Sequence, residues 1–184
     1  ISVIKRFQKR IVHFENRDEV EITADIQDAI AGSLNSKYDL HISREFTMGR
    51  AIKKMGETDL YIYAEKDGHV TDYAVLENKY IENFTNQYNQ LMGYLNPNFE
   101  FGITLSMNRE MSLKKGFDEI ENKLKSIKGD FQPIRIQRIG ERDTLMITSE
   151  HIVPENGNRM KVFHMIFQLN DKERKEAAAS ARKR

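Results

Sequence analysis

Three residues of this 184-residue chain stand in an order that could do chemistry on a phosphate ester. Asp59 lies near the start of one run of alternating residues, and Glu77-Asn78-Lys79 sits inside the next. Side chains two apart on a strand share a face, so Glu77 and Lys79 project together while Asn78 turns away. Between the runs, Lys66-Asp67-Gly68-His69 reads as a tight turn, because Asp-Gly tolerates the backbone that short hairpins demand. Folding back at that turn sets Asp59 beside Glu77. Two carboxylates on neighbouring strands make a seat for a hard divalent cation such as magnesium, which takes oxygen ligands and keeps several waters. A cation held there polarises phosphate oxygens, acidifies water and neutralises a leaving oxygen. Lys79 would orient the attacking water or balance the charge developing at phosphorus. The bland counterpart is a charged cross-strand face on a half-exposed sheet. Against it, the flanking Ala74-Val75-Leu76 and Tyr80-Ile81 are apolar on both faces, as in a central strand. A lysine and a glutamate buried there cost energy unless something uses them.

The surrounding elements must position these groups. Asp18 to Leu34 reads as a helix with Ile22, Ile26, Ala29 and Ile30 on one face, and Gly32 and Asn35 near its end. His41 to Met48 reads as a strand, and Gly49 to Gly56 as a basic connector. Thr58 to Ala64 and Asp72 to Ile81 are the two strands of the hairpin. Asn83 to Leu95 is a helix with Phe84, Tyr88, Leu91 and Leu95 as its apolar stripe, stopped by Asn96-Pro97. Phe99 to Ser106 is a strand, and Ser112 caps a helix running to about Ile127. Phe131 to Ile139 and Thr144 to Ile152 read as strands, and Lys161 to Leu169 as strand or helix. The order predicts one mixed α/β domain over 18–170, with a lead at 1–17 and a charged tail at 171–184.

The hairpin motif and its flanking helices resemble the PD-(D/E)xK nuclease superfamily over roughly Asp18 to Ser106, the motif reading Asp59 and then Glu77-Asn78-Lys79. Thr58 stands where that motif carries a proline, its least essential part. The resemblance implies a restriction-endonuclease-like α/β fold, a mixed central sheet flanked by helices. It implies Mg2+ or Mn2+ held by Asp59 and Glu77, with Lys79 catalytic. Glu21, on the helix before the motif, would help hold metal or water, with Asp25 its rival one turn later. Many members carry a glutamine and a tyrosine on the helix after the motif; here Gln87, Leu91 and Tyr94 share a side, with Gln90 flanking. The implied activity is hydrolysis of phosphodiester bonds, of DNA first and RNA second, as the effector domain of a larger restriction or anti-phage defence protein. Such a domain works with further domains or subunits, and dimerisation would suit double-strand cutting. A binding or scaffolding module of the same fold that does not cleave is the alternative.

Bulk properties narrow the field. The net charge of +1 means that attraction for phosphates must be local, and Arg50, Lys53 and Lys54 in the basic connector are candidates for nucleic-acid contact. A solvated loop explains them about equally well. No cysteine is present, so thiol catalysis and thiolate metal sites are excluded; this suits a cytoplasmic setting. No apolar run is long enough to span a membrane. The five histidines carry no HExxH or paired ligand spacing. The glycines and lysines of residues 49–58 lack the phosphate-loop spacing, and no GxSxG elbow occurs.

Overall fold

The computed structural model describes residues 17–48, 56–140, 146–153 and 156–169. The Asp18 side chain accepts a hydrogen bond from the Glu21 amide, and the Glu21 carboxylate accepts one from the Asp18 amide. This reciprocal cap satisfies two orphan donors and starts helix α1, Glu19–Tyr38. The helix runs past Gly32 and Asn35, and ends where Asp39 takes a left-handed conformation at φ 55°. Strand β1, His41–Met48, then pairs antiparallel with β2, Gly56–Lys66. The expected hairpin joins β2 to β3, His69–Tyr80. Asp67 and Gly68 both have positive φ, 53° and 74°, as a two-residue turn of this hand requires.

A short 3-10 turn leads into helix α2, Phe84–Tyr94, which returns the chain to β4, Phe101–Asn108, parallel to β3. Ser112 caps helix α3, Leu113–Ser126, by accepting from the Lys115 amide. Strands β5, Arg135–Ile139, β6, Met146–Ile152, and β7, Arg159–Gln168, complete one seven-stranded mixed sheet in the order β1-β2-β3-β4-β7-β6-β5. The segment read as strand or helix is therefore strand β7, parallel to β4. Strand β5 starts four residues later than the run beginning at Phe131 predicts, beyond Pro133, which cannot donate to a ladder.

Each face of the sheet carries a core. On one, Ile22 and Ile26 of α1 pack with Leu60, Leu76, Leu105, Met107 and Phe167. On the other, α2 and α3 bury Phe84, Tyr88, Leu91, Phe117 and Ile120 against Val75, Ile147, Val162 and Ile166. This double coverage makes β3 a buried central strand, as its two-faced apolar pattern predicts. The approach of α2 to β4 is close at Gly102, where an added Cβ would lie 3.0 Å from Leu95 Cδ1 and 3.2 Å from Leu91 Cδ2. A branched side chain enters that gap only if Leu91 and Leu95 repack. Gly102→Val is expected to cost roughly 1–3 kcal/mol, read as a lower urea midpoint at unchanged slope.

Among the described residues, no helix is long and apolar enough to cross a membrane. Arg50, Lys53 and Lys54 lie outside the described residues, as do the segments 1–16 and 170–184.

Candidate active site

Strand periodicity and hairpin register bring the central trio together. The pairing of Tyr61 with Val75 and of Leu60 with Leu76 continues to Asp59 beside Glu77. The Asn78 backbone amide donates to Asp59 Oδ2 at 2.6 Å, which fixes the aspartate against β3. Asn78 itself turns to the opposite face, as expected, and donates from Nδ2 to Thr23 Oγ1 of α1 at 2.6 Å. Glu77 is only 2% exposed, and its Oε1 has no hydrogen-bond partner among the described residues. Burial pushes its carboxyl up to about 8, helped by the neighbouring Asp59 charge and opposed by Lys79. Burial also raises Asp59, against the Asn78 amide and the positive charges of Lys79 and Arg44. A buried carboxyl beside a half-buried one cannot ionise cheaply together with it, so the pair retains a proton unless a cation replaces it.

Lys79 lies on the same face as Glu77 and forms an ion pair with Glu19 Oε1 at 3.7 Å. The carboxylate that α1 brings to the centre is thus Glu19. Its carboxyl is raised, first by burial and then by Asp59, while Lys79 pulls it down. Glu21 is exposed and spends its side chain on the helix cap, and Asp25 pairs with Arg17. Helical geometry explains the exchange: Glu19, Ile22, Thr23 and Ile26 fall on the inward stripe, whereas Glu21 sits about 100° away from Ile22. Spacing relative to Ile22 and Ile26 was the signal that singles out Glu19.

Gln87 is fully buried and acts on the backbone. Its Nε2 donates to the carbonyls of Glu77 at 2.6 Å and Leu105 at 3.1 Å, and its Oε1 accepts from Ser106 Oγ at 2.9 Å. Both amide hydrogens are used, so Gln87 clamps α2 across the β3–β4 seam and positions Glu77. Gln87→Leu removes these three hydrogen bonds from the buried seam. It is expected to cost at least about 1–3 kcal/mol in chemical denaturation. Tyr94 is buried in the α2 core beside Leu91, and Gln90 is exposed.

Asp59 and Glu77 are the residues that could hold a cation between β2 and β3. Asp59 and Glu77 offer oxygens on adjacent strands, one of them buried without a partner, and Glu19 stands behind Lys79. Among the described residues no group of three or more His, Cys, Asp or Glu is gathered tightly enough to enclose a metal. Comparison of the chain with family models, curated proteins and solved structures returns no match.

Sequence spacing gave no reason to join any of the histidines, yet His151 and His164 meet through Ser149. Ser149 Oγ lies 2.7 Å from His151 Nε2 and 2.8 Å from His164 Nε2. Both rings are buried and belong to the core beneath α2, in contact with Tyr88.

Proposed function

We propose that this protein is a metal-dependent nuclease of restriction-endonuclease-like fold that hydrolyses phosphodiester bonds, DNA being the first substrate to test. The observation that carries the reading is the pairing of half-buried Asp59 with buried Glu77, with an unpartnered Glu77 oxygen and Lys79 on the same face. Neither stability nor packing explains placing two carboxyls and a lysine in a central strand pair. The element order helix, three-stranded meander, helix, parallel strand supports the fold assignment.

In this reading Asp59 and Glu77 would hold Mg2+ or Mn2+, which would supply Lewis acidity toward the phosphate oxygens. Lys79 has a cationic head at the place where charge grows on phosphorus, and can hold the attacking water by hydrogen bonding. Glu19 restrains the lysine, and Gln87 fixes the strand that bears Glu77. On the resemblance alone, the activity belongs to an effector domain in restriction or anti-phage defence, joined to further domains or subunits.

The test is incubation with supercoiled plasmid, linear duplex, single-stranded DNA and RNA, with magnesium, manganese or chelator. Cleavage that needs the metal and is lost in Glu77→Gln supports the proposal. Binding without cleavage under all conditions favours the scaffolding module, and cleavage of RNA alone moves the substrate class.

A further inference from the structure

The alternation that points Asp59 to one face of β2 points Tyr61 and Tyr63 to the same face. Across the pairing with edge strand β1, His41 stands opposite Tyr63. The rings form a row. His41 and Tyr63 have centroids 5.4 Å apart with planes tilted by 31°, and Tyr63 stacks on Tyr61 at 4.9 Å and 15°. Tyr61 closes the row by meeting Phe99 edge-on at 6.3 Å.

Side chains two apart on a regular strand stand about 7 Å from each other. The 4.9 Å stack is tighter, and the β2–β3 pairing shifts register between Ile62 and Tyr63. The extra residue of this bulge is Tyr73 of β3, and a bulge increases the local twist of the strand pair. Tyr61 is the fixed base of the row: it is buried, and its hydroxyl donates to Asp72 Oδ1. Tyr63 and His41 are only half-buried. Helix α2 packs over β3 and β4 on this face, so the row lies at its flank, in line with Asp59 along one strand.

We propose that His41 and Tyr63 form a stacking platform for an unpaired nucleobase of a single-stranded nucleic acid engaged at the Asp59–Glu77 centre. The proposal rests on the nuclease reading and gives it a substrate class. The platform lies about 13 Å from Asp59 along β2, within a few nucleotides of the bond to be cut. Flat rings accept any base, so this contact carries little sequence preference, and a base can offer its face only when it is not stacked inside a duplex.

The experiment uses the full chain carrying Lys79→Ala, so that nucleic acid is bound without turnover, in the presence of manganese. Fluorescence anisotropy compares a labelled 20-nucleotide DNA, the RNA of the same sequence, and duplex DNA. Tyr63→Leu preserves apolar volume against Tyr61, His41→Ala removes the outer ring, and thermal unfolding verifies that both variants fold. Single-strand affinity is expected to fall roughly 5- to 100-fold in each variant, with duplex affinity unchanged. An abasic site at one position should weaken binding to the parent as much as Tyr63→Leu does, and weaken that variant no further. The DNA and RNA arms identify the sugar, and a loss on either supports the platform. Unchanged single-strand affinity, or equal losses on duplex and single strand, overturns it while metal-dependent cleavage by the unmutated protein stands. If the unmutated protein neither binds nor cuts any nucleic acid with manganese, the nuclease reading fails and the platform falls with it.

Discussion

Glu77→Gln will make the metal-free protein more heat-stable at pH 8 and at the same time abolish metal-dependent cleavage. The Glu77 carboxyl titrates near 4.5 when solvated and near 8 in the fold, where burial and Asp59 both oppose its charge. A group raised in this way stabilises the fold in full below its ordinary value, and that contribution is lost as pH rises through about 8. At pH 8 the wild type therefore carries a penalty on the order of 2 kcal/mol or more, equivalent to about 5 °C in melting temperature. Glutamine keeps the shape, cannot ionise, and offers a permanent N–H to Asp59 where the acid offers a titrating proton. Melting temperatures measured with chelator from pH 5 to 8 should diverge as pH rises, with the glutamine variant ahead. A wild type at least as stable as the variant at pH 8 would show that the pair is not electrostatically strained.

The same variant separates metal binding from chemistry. Manganese should raise the wild-type melting temperature, more at pH 8 than at pH 6, because binding must expel the proton held by the pair. Glu77→Gln should respond little. Lys79→Ala should keep the manganese response and lose roughly 100- to 1,000-fold in cleavage rate, the usual cost of deleting one group that stabilises transition-state charge. Stability gained by deleting a functional charge is the expected signature of a site kept for chemistry.

Some of this was legible in the chain because the physics is local. The Asp67-Gly68 turn, the two-residue period of β2 and β3, and the apolar flanks of Glu77 fix the hairpin and the faces of Asp59, Glu77 and Lys79 without knowledge of distant contacts. The helix residue is a different case. Glu21 looks apt from its early position, but the Asp18 cap claims its side chain, and only the inward stripe of Ile22 and Ile26 selects Glu19. Gln87 was expected at the site as a participant, and instead ties down backbone, since its partners are carbonyls of strands 10 and 18 residues away. Helix α1 continues past Gly32 and Asn35, because a single glycine weakens a helix by only about 1 kcal/mol. The meeting of His151 with His164 depends on strand order in the second half of the sheet. No spacing rule on 13 intervening residues encodes it.

That histidine pair makes acid the condition under which this fold fails. The Tyr88 hydroxyl donates to the Phe131 carbonyl, so it receives the His151 Nδ1 proton at 3.2 Å. His151 Nε2 then accepts from Ser149, Ser149 accepts from His164 Nε2, and His164 Nδ1 accepts from Thr104 at 2.8 Å. Every bond in this chain is satisfied with one proton on each ring, and a second would displace a hydroxyl hydrogen already donating there. Burial agrees, lowering His151 to about 4 and His164 to about 3. A depressed histidine stabilises the fold above its ordinary value of 6.5, and the contribution drains away as pH falls toward the folded value. At pH 5 each ring costs about 2 kcal/mol, because the unfolded chain takes up a proton that the fold excludes. Glu77 slopes the other way across this range, so the measurement belongs in the Glu77→Gln background. There, urea unfolding between pH 6 and 5 should report close to two protons taken up, and His164→Ala should reduce that to one. His164→Ala should also lower stability at pH 7.5 by roughly 2–5 kcal/mol, through the cavity against Phe84 and the Thr104 hydroxyl left without its histidine acceptor. An unfolding free energy that stays flat from pH 6 to 5 in the Glu77→Gln background would mean that the rings charge in place, and that the neutral chain from Thr104 to Phe131 does not hold them.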